Sequence, residues 1–226
     1  DKTSFIKEWW EMADVVTLIT RPRRFGKTLN MDMLRCFFSN KYKDRGDLFE
    51  GLDIWKEEKY REIQGTYPVI FLSFAKVKQS NYANVIAAIK RSICDEVQKY
   101  IFLKDWDGLT DEEKNNLKSI TYDMDDVTAQ EAISSISNYL SRYYGKKVII
   151  LLDEYDTPMQ EAYVCGYWKE FTAFIRSMFN SAFKTNPYLE RAVMTGITRV
   201  SKESVFSDLN NLKVITTTSN EYADSF

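Results

Sequence analysis

Four short apolar runs constrain this chain more than any other feature. Val15–Thr20, Val69–Phe74, Val148–Leu152 and Arg191–Thr195 are near-continuous rather than alternating. A strand with one wet face alternates every second residue, whereas a strand covered on both faces does not. Helical patterns separate the runs, so the expected class is α/β, a mainly parallel sheet with helices on both faces. A weaker run, Val214–Thr218, is a candidate fifth strand. With 226 residues, 44% of them hydrophobic, the chain can bury one sizeable core, and we expect residues 1–226 to form a single domain.

The helices between the runs have readable faces. Thr28–Phe38 is apolar nearly all round, through Leu29, Met31, Met33, Leu34, Phe37 and Phe38. Asn81–Tyr100 carries Val85, Ile86, Ile89, Ile93 and Val97 on one face. Thr128 and Glu131 have the spacing of a capping box, before a helix with Ala132, Ile133, Ile136, Leu140 and Tyr143 that stops at Gly145. Trp168–Phe183 is a further helix, and Thr110 with Glu113 can cap a short one.

Composition removes several chemistries. There is no histidine, which excludes Ser-His-Asp and Cys-His catalysis and histidine metal ligands. Cys36, Cys94 and Cys165 are scattered and odd in number, with no Cys-x-x-Cys; a reducing, cytoplasmic setting is expected. The net charge of −2 does not support bulk nucleic-acid binding. No apolar run reaches the roughly 18 residues of a membrane span, and no signal peptide is visible. The abrupt ends, Asp1 and Phe226, read as those of a piece of something longer.

Two motifs carry chemistry. "LITRPRRFGKTLNMDML", residues 18–34, places Gly26-Lys27-Thr28 between a buried strand and a helix. A phosphate loop, Gly-x-x-x-x-Gly-Lys-Ser/Thr, has that context, although Arg21 stands where its first glycine belongs. A helix start attracts phosphate through unpaired N–H groups and its partial positive charge. Gly26 would admit close approach, Lys27 would reach the phosphates and Thr28 would ligate Mg²⁺. The expected nucleotide contacts are Arg24, Phe25, Gly26, Lys27, Thr28 and Leu29. The second motif, Val148–Leu152 followed by Asp153-Glu154, ends a buried strand in two acids. Asp153 is the second candidate Mg²⁺ ligand and Glu154 the candidate general base. Arg199, after the strand at 191–195, is a candidate for stabilising the terminal phosphate, with Thr195 or Thr198 placed to orient water. The bland readings are a solvated basic turn, an ordinary strand end and a surface arginine. The ordered pair of motifs favours ATP and Mg²⁺.

The blocks "DKTSFI", "LITRPRRFGKTLNMDML", "IILLDEYDTP" and "GITRVSKESVFSDLNNL" together resemble the bacterial AAA-ATPase-like family of predicted P-loop ATPases. The resemblance spans nearly all of the chain. It implies a three-layer P-loop NTPase fold with sheet order 5-1-4-3-2. In that family Arg-Pro-Arg-Arg-Phe-Gly-Lys-Ser/Thr is the phosphate loop, so Arg21 departs from the general motif and not from the family. Lys27, Thr28, Asp153, Glu154 and Arg199 fall on matching positions. The resemblance also implies a following PD-(D/E)xK nuclease-like domain and a lid-like region, neither of which lies within these residues. Glu57-Glu58-Lys59 and Glu112-Glu113-Lys114 spell acid-x-Lys but read as solvated helix faces.

Three functions stay open on sequence. The first is an ATPase. The second is a nucleotide-dependent or degenerate module that controls an attached effector with little hydrolysis, since arginine tolerates positive φ poorly at a glycine position. The third is a nucleic-acid role for the basic cluster at 21–27. Oligomeric state is not legible.

Overall fold

The computed structural model describes residues 1–197, 205–206, 209–217, 219 and 221–222. Five strands form one sheet: β1 (Val16–Thr20), β2 (Val69–Ser73), β3 (Val148–Asp153), β4 (Leu189–Gly196) and β5 (Leu212–Ile215). Every pairing is parallel, in the order β2-β3-β4-β1-β5, which is 5-1-4-3-2 read from the other edge. The four strong runs become strands within a residue or two of their expected ends. The fifth begins at Leu212, two residues before the expected Val214, and ends at Ile215.

The sheet divides two apolar layers, which explains the near-continuous runs. On one face lie Val16, Leu18, Ile70, Leu72, Ile150, Leu152 and Met194, covered by helices α4 (Tyr82–Gln98), α6 (Asp126–Tyr144) and α8 (Trp168–Phe179). On the other lie Ile19, Val69, Ile149, Leu151 and Val193, covered by α1 (Ser4–Met12) and α2 (Lys27–Phe38). Three further helices lie among the described residues: α3 (Glu58–Ile63), α5 (Asp111–Ser119) and α7 (Thr157–Cys165).

Local chemistry sets the helix ends, and here the sequence reading needs correction. α5 starts with the expected reciprocal box between Thr110 and Glu113. α6 starts at Asp126, not after Thr128. The Asp125 carboxylate accepts the Thr128 N–H at 2.7 Å, so Thr128 lies inside the first turn. The same helix ends as expected at Gly145, which is left-handed, but Tyr143 near its end is exposed. The Trp168–Phe183 helix is α-helical only to Phe179 and continues as a π-turn, Asn180–Lys184. α1 has no counterpart among the expected helices. It buries Phe5, Ile6 and Trp9 completely, and its Trp10 ring lies 4.2 Å from the Arg191 guanidinium carbon.

Parallel order brings three strand ends together. Thr20 at the end of β1 is in register with Gly196 at the end of β4, and β3 pairs on the far side of β4. Loops leaving these ends therefore share one edge of the sheet, where open α/β folds place their ligands.

Ile150 and Leu151 are consecutive, fully buried, and face opposite layers. Each should lose about 2–5 kcal/mol on change to alanine, in separate denaturant titrations. A cost below about 1 kcal/mol for either would contradict burial on both faces.

Candidate functional site

The loop between β1 and α2 turns on two left-handed residues. Gly26 has φ 76° and caps α2, with its carbonyl accepting the Asn30 N–H at 2.9 Å. Arg24 has φ 69°. Arg21 is not among the non-glycine residues at positive φ. The strain expected from arginine at the first glycine position therefore falls on Arg24 instead. Arg21 carries the strand pattern one step further, with its N–H donating to the Gly196 carbonyl at 3.1 Å. Its guanidinium is buried and donates to the Thr20 carbonyl at 3.2 Å; burial pulls its pKa below the usual arginine value.

Lys27 is only 6% exposed. Its Nζ donates to the carbonyls of Arg21 at 2.9 Å and Pro22 at 2.8 Å, bridging the loop from inside. Burial lowers its pKa, while the charges of Glu154, Asp153 and Asp156 act in the opposite direction. Thr28 follows in the first turn of α2, and its hydroxyl donates to Asp153 Oδ2 at 2.8 Å.

Asp153 ends β3 at 1% exposure. Its other oxygen accepts from the Thr195 hydroxyl, which in turn accepts the Glu154 N–H at 3.3 Å. Glu154 has φ 51°, so the chain turns sharply there. The turn leaves the Glu154 carboxylate accepting from the Thr157 hydroxyl at 3.1 Å. Tyr155 N–H donates to the Thr195 carbonyl at 3.0 Å. Asp156 is fully buried; its Oδ2 accepts from Ile197 N–H at 2.9 Å and Gln160 Nε2 at 3.0 Å. Gly196 has to be glycine: a Cβ there would lie 2.6 Å from the Tyr155 ring and 2.8 Å from Asp156 Oδ1.

These elements surround a cavity of about 360 Å³ lined by Arg23, Arg24, Gly26, Lys27, Thr28, Leu29 and Glu154. Asp153 stands behind Thr28. Phe25 does not line the cavity and is 46% exposed. Leu29, one of the residues that make its helix read as apolar nearly all round and also an expected nucleotide contact, is 67% exposed and lines this opening. Arg199 and Thr198 lie outside the described residues. Asp156 and Gly196 were not singled out from sequence. The acid repeated two residues after Glu154, and a glycine directly after Thr195, were the available signals. Among the described residues, no three His, Cys, Asp or Glu side chains cluster as a metal cage. No described helix is long and apolar enough to cross a membrane.

A family model described as predicted AAA-ATPase, of the AAA-ATPase-like family, matches residues 1–206. A curated relative, described as an uncharacterized protein in the vnfD 5′ region of Azotobacter chroococcum mcd 1, is 24% identical over 213 residues. That match covers 94% of this chain and 36% of the relative, so the chain spans about a third of the relative's length. No solved structure matches the chain at a significant level. With the family model running from residue 1, ahead of α1, to residue 206, beyond the ends of β3 and β4, this chain belongs to the AAA-ATPase-like family of predicted AAA-ATPases.

Proposed function

We propose that residues 1–226 act as one Mg²⁺-dependent ATP-binding and ATP-hydrolysing domain. The observation that carries this reading is the link from Thr28 through Asp153 to Thr195 at the floor of the Gly26–Lys27 cavity. It joins a helix start, which favours phosphate, to a buried acid, which favours a cation. Family membership supports the ATPase-like character.

The roles follow from the atoms available. The N–H groups at the start of α2 and the Lys27 ammonium hold the phosphates. An ammonium has three donors, and the Arg21 and Pro22 carbonyls take two of them. Thr28 and Asp153 offer hard oxygen donors of the kind Mg²⁺ takes, with waters and phosphate oxygens supplying the remainder. When bound, Mg²⁺ neutralises phosphate charge. Glu154 accepts a proton from water as the water oxygen bonds to the terminal phosphorus and the bond to the bridging oxygen breaks. The Thr157 hydroxyl steadies that carboxylate. Arg199 stays a proposed contact to the terminal phosphate. Arg24 and Leu29 line the entrance, and Phe25 flanks it.

A second reading is a regulatory module that binds nucleotide with little turnover and controls an attached effector, such as a nuclease-like domain. Two of the three Lys27 donors held by its own loop, and Thr28 paired with Asp153, favour it, because taking a ligand would cost some of these bonds. The chain's coverage of about a third of its relative is consistent with further attached sequence. Unpaired cysteines at 36, 94 and 165 support a reducing cytoplasmic setting.

Phosphate release by the parent and by Glu154→Gln separates the two. Loss of a general base should slow hydrolysis by about 100-fold or more, with ATP affinity held within about threefold. Equal turnover in both proteins would remove Glu154 from the role of base. An absence of turnover in a parent that binds ATP would favour the regulatory module.

A further inference from the structure

Asp156 stands at the N-cap of α7, where an aspartate ordinarily accepts an N–H from the first turn of its own helix. Here it makes no such cap. Its backbone lies in the right-handed helical region, φ −88° and ψ −10°, instead of the extended region that a capping side chain needs. The carboxylate turns to the sheet. Oδ2 accepts the Ile197 N–H at 2.9 Å, 41 positions along the chain, and the Gln160 Nε2 at 3.0 Å. Asp156 is fully buried. Burying a carboxylate is costly, and an acid that served only the start of α7 would do so better from a wet surface.

The Ile197 bond completes a clamp on the end of β4. Thr195 is held on one side, with the Tyr155 N–H donating to its carbonyl at 3.0 Å and the Glu154 N–H to its hydroxyl at 3.3 Å. Ile197 is held on the other side by Asp156. Gly196 lies between, and its carbonyl accepts the Arg21 N–H at 3.1 Å, where the phosphate loop begins. Three successive residues after β3 thus grip both neighbours of the residue to which the loop is tied.

Glu154 gives that grip a purpose. It is a non-glycine residue at φ 51°, a strained conformation that persists only where the surroundings hold it. Asp156 is two residues away on the same turn and supplies one of those holds. The groups placed to take phosphate, Lys27 and the start of α2, do not bond through Asp156. Loosening the clamp therefore disturbs the candidate base more than the phosphate contacts.

We propose that Asp156 is a positioning residue for hydrolysis: by clamping the Ile197 N–H it keeps the turn that carries Glu154 in register with the phosphate loop, without touching ATP itself. The inference rests on the ATP-hydrolysis reading above. It adds to that reading a second buried acid with a task separate from those of Asp153 and Glu154.

The test compares the parent with Asp156→Ser and Asp156→Asn in three measurements: steady-state phosphate release, calorimetric titration with Mg·ATP, and amide hydrogen exchange at Ile197 without ligand. Serine is a good helix cap but one atom too short to keep the bond. Asparagine keeps an acceptor oxygen, and Gln160 can turn its own oxygen to the new amide. We expect Asp156→Ser to lower kcat by about 10- to 100-fold with Kd for ATP held within about threefold. Ile197 should exchange about tenfold faster in that variant, and Asp156→Asn should recover most of both losses. Parent-like kcat in Asp156→Ser would overturn the inference. So would unchanged exchange at Ile197, since the clamp would then not depend on this carboxylate. Turnover lost equally in Asp156→Asn would assign the effect to charge and not to the clamp, which also overturns it. An Asp156→Ser chain that does not fold, or that loses affinity and turnover together, would make Asp156 a support of the fold alone. A parent that binds ATP without turnover would instead sink the hydrolysis reading, and a parent that binds none the ATP reading; this inference falls with either.

Discussion

Everything at the site depends on one buried carboxylate. Asp153 ends a strand covered on both faces and is almost wholly removed from water. An acid in that position is costly unless each oxygen has a donor. Thr28 supplies one and Thr195 the other. The need to satisfy Asp153 thus ties the start of α2 and the end of β4 to the same point. The Thr195 hydroxyl also accepts the Glu154 N–H, so the same threonine fixes the start of the turn after β3.

The sheet order makes those bonds possible. With β4 between β1 and β3, the residues leaving β1 and β3 meet over the end of β4. Arg21 bonds Gly196 from one side, and Tyr155 and Glu154 bond Thr195 from the other. Gly196 lets Tyr155 and Asp156 pack against bare backbone. β4 is therefore the hub of this cluster, bonded on one side to the loop after β1 and on the other to the segment carrying Glu154.

Much of this was legible because burial on two faces leaves a plain mark. A run such as "VIILL" has few other places to go, and the two acids after it, Asp153 and Glu154, ask for donors. What escaped had weaker marks. β5 is a short edge strand, half-buried, so its start was misplaced by two residues. α1 is nine residues long, so Phe5, Ile6 and Trp9 span too short a stretch for helical periodicity to stand out. Thr128 and Glu131 have the right spacing for a box, but Asp125 reaches the same N–H first. The αL positions of Arg24 and Glu154 have no sequence signature, because glycine would be the expected residue at both.

The central claim is that nucleotide phosphate sits on the Gly26–Lys27–Thr28 loop. The most direct measurement is the melting temperature with and without saturating Mg·ATP, for the parent and for Lys27→Ala. Ligand at about 100 times its Kd stabilises by about 2.7 kcal/mol, roughly 5–10 °C for a domain of this size. The account predicts that shift in the parent and its loss in Lys27→Ala. An equal shift in both proteins, or none in the parent, would contradict it.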